Sequence, residues 1–79
     1  YPNPMTNEAY IEFYQEKDQL VNLSLYNALG ELVMVVNNKN LSSGYHSIKI
    51  SVEDIVNGVY FIKFNSASLS SVKLLQVNR

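Results

Sequence analysis

An all-β fold, two antiparallel sheets closed over one core, is what this sequence predicts. Three observations predict it. Apolar side chains recur at every second position in several segments, which places residues i and i+2 on one face of a strand. Other segments are apolar on both parities, as strands covered on two sides or carrying a contact surface are. Turn signals separate the segments at intervals of roughly 10–14 residues, the spacing of a sandwich.

The first segment sets Ala9, Ile11 and Phe13 on one parity, with Glu8 and Glu12 on the other beside Tyr10 and Tyr14. A helix over residues 6–20 is the rival reading, because Glu8, Glu12 and Glu16 stand at i, i+4 spacing. Tyr10, Ile11, Phe13 and Tyr14 crowd one short stretch, which favours the strand. In the second segment Val21, Leu23 and Leu25 alternate with Asn22 and Ser24. Asn27-Ala28-Leu29-Gly30 then reads as a short hairpin loop in which Gly30 takes positive φ. Val33, Met34, Val35 and Val36 are apolar on both parities, and a polar loop is expected over residues 37–44, where Gly44 restarts the chain.

In the fourth segment Ile48, Ile50 and Val52 alternate with Ser47, Lys49 and Ser51. Ser51-Val52-Glu53-Asp54 has the spacing of a capping box, so one helical turn is expected through Ile55 and Val56, stopped by Asn57-Gly58. Residues 59–64 and 72–77 are again apolar on both parities, joined by a Ser-rich hairpin connection over residues 65–71. Six strands are therefore expected, near 7–15, 19–27, 31–37, 45–52, 59–65 and 70–78. A further extended piece at 1–5 is expected, since Pro2 and Pro4 suit polyproline geometry or a sheet edge.

Composition bounds the function. A chain of 79 residues fits one domain, and a domain this short buries only about 60–65% of its unfolded surface, so the core must be efficient. Six tyrosines and three phenylalanines within a 47% hydrophobic chain can supply it. No cysteine is present, so neither a disulfide nor a thiolate metal site is available. That is unusual for a free-standing secreted mini-protein and compatible with a module carried by a larger chain. Six Lys and Arg against seven Asp and Glu are spread along the sequence, leaving no basic stripe for nucleic acid. No apolar run is long enough to span a membrane as a helix. The chain opens on Tyr1 without a charged leader and apolar stretch, and is read as the excised end of a longer protein.

No constellation of residues carries catalytic chemistry. His46, the single histidine, shares its parity with Ile48 and Ile50 and is read as a partly buried strand histidine. A general base needs a positioned nucleophile, and a metal site needs further ligands. Glu53 and Asp54 are the only adjacent acids, and they suit the first turn of a helix better than a Ca²⁺ loop. The three glycines form no phosphate loop, and the sequons at Asn22 and Asn40 are of low specificity. No cofactor and no metal are expected. Tyr10, Tyr14 and Tyr26 are expected to line one outward face, either as a platform for sugars or peptides or as cross-strand pairs that stiffen the sheet. Val59 and Phe61, opposite in parity to Tyr60, Ile62 and Phe64, form a possible second contact patch.

An ordered set of short motifs remains. Tyr1-Pro2-Asn3-Pro4 opens the chain, Leu25-Tyr26-Asn27 precedes Gly30, Gly44-Tyr45-His46 follows, then Gly58-Val59-Tyr60-Phe61, and Lys73 stands near the end. Together they resemble the C-terminal sorting domain of the type IX (Por) secretion system, type A, over essentially the whole chain. The resemblance implies an Ig-like antiparallel β-sandwich of about seven strands, the 1–5 segment supplying the seventh. It implies a cargo protein exported to the periplasm, read by an outer-membrane translocon with its shuttle protein, and usually cleaved by a sortase-like peptidase before release or attachment at the surface.

On the same footing, Gly58 and Tyr60 fall in the Gly-x-Tyr motif and Lys73 in the last-strand motif, the candidate recognition residues. Gly30 and Gly44 match turn glycines, and Pro2, Asn3 and Pro4 match the opening motif. The residues themselves offer other reasons: Gly58 ends a turn before a strand, Tyr60 shares the core parity of Ile62 and Phe64, and Lys73 on an edge strand deters aggregation. An adhesive or carbohydrate-binding sandwich module is the alternative function, and a homodimer of the isolated domain is expected from its apolar edge strands. A hydrolase is excluded by the missing nucleophile, base and acid.

Overall fold

The structure is a computed structural model that describes residues 8–78. Among the described residues there are six strands and no helix: β1 (Glu8–Gln15), β2 (Gln19–Asn27), β3 (Leu32–Leu41), β4 (Gly44–Ser51), β5 (Gly58–Ser66) and β6 (Ser70–Val77). They form two antiparallel sheets, a pair β1-β4 and a four-stranded sheet in the order β3-β2-β5-β6. The rival helix over 6–20 gives way to β1, whose alternation buries Ala9 and half-buries Ile11 and Phe13 while Glu8, Tyr10, Glu12 and Tyr14 face water. The expected seventh strand at 1–5 lies outside the described residues.

The core is built where the two alternations meet. Val21, Leu23 and Leu25 of β2, Tyr60 and Ile62 of β5, and Leu75 and Val77 of β6 point inward from the larger sheet. Ala9 and Ile50 meet most of them from the smaller sheet, with Val52 just beyond β4. Each fully buried aliphatic side chain contributes about 1.5–3 kcal/mol of transfer free energy. Phe13 meets Phe64 edge-on at 4.9 Å between ring centroids, and this contact ties β1 to β5 across the layers.

Two expectations are corrected here. Residues 37–44 are not a loop: β3 runs on to Leu41, leaving a short connection at 42–43. Their polar composition hid a strand because, among the described strands, β3 is an edge paired with β2, where polar side chains reach water. Backbone pairing from Gln19↔Leu41 to Leu23↔Asn37 holds it, and the Asn37 amide donates to the Val21 carbonyl at 3.0 Å. Nor do residues 51–56 make a helical turn. A bond from Ile55 N–H to the Val52 carbonyl at 3.2 Å closes a tight turn. One isolated turn gives too few hydrogen bonds to offset helix nucleation, and Val52 and Ile55 turn instead toward the core.

Candidate functional site

The hairpin between β2 and β3 matches its sequence expectation in detail. Gly30 has φ +85°, a conformation that side chains with a Cβ rarely adopt. Asn27 builds the turn around it: its backbone exchanges bonds with Glu31 and Gly30, and its side-chain oxygen accepts from the Leu29 and Glu31 amides at 2.9 Å each. Sequence reading identified Gly30 and missed Asn27's organising role, although an Asn opening a tight turn is a familiar side-chain-to-backbone device.

Asn27 pairs with Tyr60 across β2 and β5, so this hairpin and the start of β5 stand at one end of the larger sheet. Gly58 opens β5 at φ +156° opposite Val77. Two residues on, the Tyr60 ring is buried to 5% exposure, and its hydroxyl donates to the Val56 carbonyl at 2.6 Å. The phenol thus reaches back four residues and straps the turn at 56–57 onto the sheet. A tyrosine that bonds backbone a few residues upstream at the corner of a sandwich is a recurring brace in immunoglobulin-type folds. The Gly-x-Tyr spacing has a mechanical meaning here: the ring passes Gly58, and a Cβ there would sit 3.8 Å from Tyr60 Cε1. Space is adequate, so the requirement for glycine lies in the backbone. Gly58→Val is expected to lower stability by about 1–3 kcal/mol, seen as an earlier urea midpoint at unchanged slope. An unmoved midpoint would show that this φ is no constraint.

Lys73 stands one step along the same ladder, paired with Ile62, whose neighbour Tyr60 pairs with Leu75. Its parity is that of the core face, yet among the described strands β6 is the outermost of its sheet and Lys73 is exposed. The two-stranded sheet is narrower than the four-stranded one, and a groove of about 340 Å³ opens between β1 and β6. Ile11, Phe13, Ile62 and Phe64 line it, with Lys73 and Glu12 among its polar residues. Gly44 lies apart from these residues, opening β4 opposite Gln15 at φ +118°. Pro2, Asn3 and Pro4 lie outside the described residues.

His46 is half-buried, stacked on Phe13 at 5.5 Å, with Nε2 2.7 Å from the Ser42 carbonyl. A carbonyl only accepts, so Nε2 carries the proton. The three tyrosines do not share one face. Tyr10 and Tyr14 line the outer side of the smaller sheet, where Tyr45 stands directly opposite Tyr14. Tyr26 belongs to the other sheet, with Lys63 Nζ 4.4 Å from its ring centre. The Tyr10 hydroxyl donates to Glu8 at 2.9 Å, and this bond to a carboxylate raises its pKa. Partial loss of hydration, then a bond to Glu12, raises that of Tyr45.

A small antiparallel β-sandwich whose distinctive residues gather at one end and one edge of its larger sheet is the class these features define. The family model for the secretion system C-terminal sorting domain matches residues 1–78. The chain belongs to that family, the C-terminal sorting domains of type IX secretion. Such a domain implies a protein exported to the cell surface or secreted, and the family is not an enzyme family. No curated protein and no solved structure matches the chain.

Proposed function

We propose that the chain is a type A sorting signal and acts as one folded unit, residues 1–79, at the end of a larger cargo protein. The cargo crosses the periplasm and is led by this domain through the outer-membrane translocon, with a shuttle protein and a sortase-like peptidase acting on it in turn. The domain performs no chemistry; it is a surface to be read. One observation carries the reading beyond family membership. Gly58 and Tyr60 are accounted for by the turn they brace, whereas Lys73 is exposed at the rim of the groove between β1 and β6. Lys73 is the recognition contact, and Gly58 and Tyr60 fix the end of the strand pair that presents it.

Fusion of residues 1–79 to a periplasmic reporter in a host that has the system tests this. The reporter is expected at the cell surface or in the medium, and its retention in the periplasm would overturn the proposal. In the same assay Lys73→Ala is expected to change unfolding free energy by less than about 0.5 kcal/mol while leaving the reporter in the periplasm. A large loss of stability would make Lys73 structural instead. The alternative, a carbohydrate-binding module, draws on Tyr14 and Tyr45, which are 72% and 64% exposed and directly opposed. It predicts binding on a glycan array that is lost in Tyr14→Ala.

A further inference from the structure

The outer face of the four-stranded sheet carries an apolar belt that crosses every strand. Register places Leu32, Tyr26, Phe61 and Leu74 in one row over β3, β2, β5 and β6. The next row reads Val35, Ser24, Lys63, Val72. Leu32, Val35, Val72 and Leu74 are each between 51% and 58% exposed, and no other described element covers them. Exposed apolar surface of this continuity marks a contact. Two β-bulges in the β2–β3 ladder, between Leu23 and Ser24 and between Leu25 and Tyr26, bring Leu32 and Val35 onto this face.

What the belt fits is set by its order. Read from either edge, the first row runs aliphatic, aromatic, aromatic, aliphatic, and the second begins and ends in valine. A twofold axis running along the strands, midway between β2 and β5, turns such a face onto itself. We infer that this outer face is the interface of a homodimer, in which Leu32 meets the partner's Leu74 and Tyr26 meets the partner's Phe61. An interface between identical chains must be self-complementary under its axis, and two sheets stack face to face about 10 Å apart in aligned packing. Lys63 is the one charge in the two rows. Its ammonium lies over its own chain's Tyr26 ring, so it is satisfied within the sheet and its methylene stem adds apolar cover. Four strands about 4.8 Å apart and about 26 Å long give a face of roughly 500 Å² per partner, at the low end for a specific interface and in keeping with a dimer that dissociates on dilution.

The chain contains no cysteine, which permits a direct test. Within one chain Leu32 and Leu74 lie on opposite edges of the sheet, three strand spacings or about 14 Å apart, farther than a cross-linker of about 10 Å reaches. Light scattering on the eluted 79-residue chain is expected to give twice its 9.0 kDa mass, shifting to monomer on dilution. Leu74→Lys is expected to raise the dimer dissociation constant at least tenfold while the far-ultraviolet circular dichroism spectrum remains that of the folded chain, any fall in melting temperature vanishing at concentrations where both chains are monomeric. The double variant Leu32→Cys with Leu74→Cys is expected to be linked between chains by a short bis-maleimide that spans the roughly 10 Å between stacked sheets. A monomer up to millimolar concentration would overturn the inference, leaving the face for a different protein. A dimer that ignores Leu74→Lys, or that the bis-maleimide does not link in the double variant, would overturn it in favour of pairing at the β6 edge.

Discussion

Tyr60→Ala is expected to lower the stability of this domain by about 3–5 kcal/mol, the usual cost of truncating a buried aromatic ring. A chain of 79 residues has about 4–12 kcal/mol in total, so this one change removes a large part of it. Two losses combine. The ring is part of the core cluster with Leu23, Leu25, Ile62 and Leu75, and its removal leaves a cavity between the sheets. The hydroxyl also holds the Val56 carbonyl, a tie on the turn before β5 additional to Ile55 N–H to Val52. Tyr60→Phe separates the two. It keeps the ring, loses one hydrogen bond, and is expected to cost about 0.5–1.5 kcal/mol. Urea unfolding of both variants gives the answer; equal losses would mean that the hydroxyl, not the ring, does the bracing.

That brace was half legible in the sequence. Parity with Ile62 and Phe64 placed Tyr60 in the core, because a period of two needs nothing beyond the strand itself. The partner of its hydroxyl was not legible, since it is a backbone carbonyl in a turn that the capping-box spacing predicted as helix. The Ser51 and Asp54 spacing was real, but a cap stabilises a helix only where enough residues follow to propagate it, and Gly58 stands four residues past Asp54. The strand through Asn37, Asn38, Lys39 and Asn40 was missed for a related reason: composition reports solvent exposure, and an edge strand is exposed.

The candidate site divides in the same way. Gly30, Gly58 and Tyr60 converge at one end of the sheet, and their motifs correspond to local geometry that a single chain can dictate. The sequence offered an edge-strand position as one reason for Lys73, and among the described strands β6 is the outermost of its sheet. The grouping of Tyr10, Tyr14 and Tyr26 failed because it required knowing which strand joins which sheet. That knowledge is topological. Alternation assigns a residue to a face, and only pairing assigns the face to a sheet; Tyr45, not Tyr26, completes the outer side of β1-β4. The outward belt was visible only as Val59 and Phe61, because the two bulges that swing Leu32 and Val35 outward leave no mark on the sequence.

Leu23→Ala is expected to destabilise the domain by about 3 kcal/mol and, through that alone, to reduce export. Leu23 is fully buried on β2, between β3 and β5 in the larger sheet. Leu-to-Ala substitutions in cores cost about 2.7–5 kcal/mol, and the groove that Leu23 lines gives its neighbours room to relax, which favours the lower end. The variant leaves Gly30, Gly58, Tyr60 and Lys73 in place in the chain. If a folded surface is what the machinery reads, reporter export must fall with the folded fraction measured by circular dichroism and return when the temperature is lowered. If the machinery reads Lys73 and its neighbours as a linear segment, export persists in chains that the same measurement shows to be unfolded. A sandwich whose end is strapped by Tyr60 and whose surface displays Lys73 has physical reason to be read folded, since pairing with β5 gives the β6 side chain a fixed place and direction.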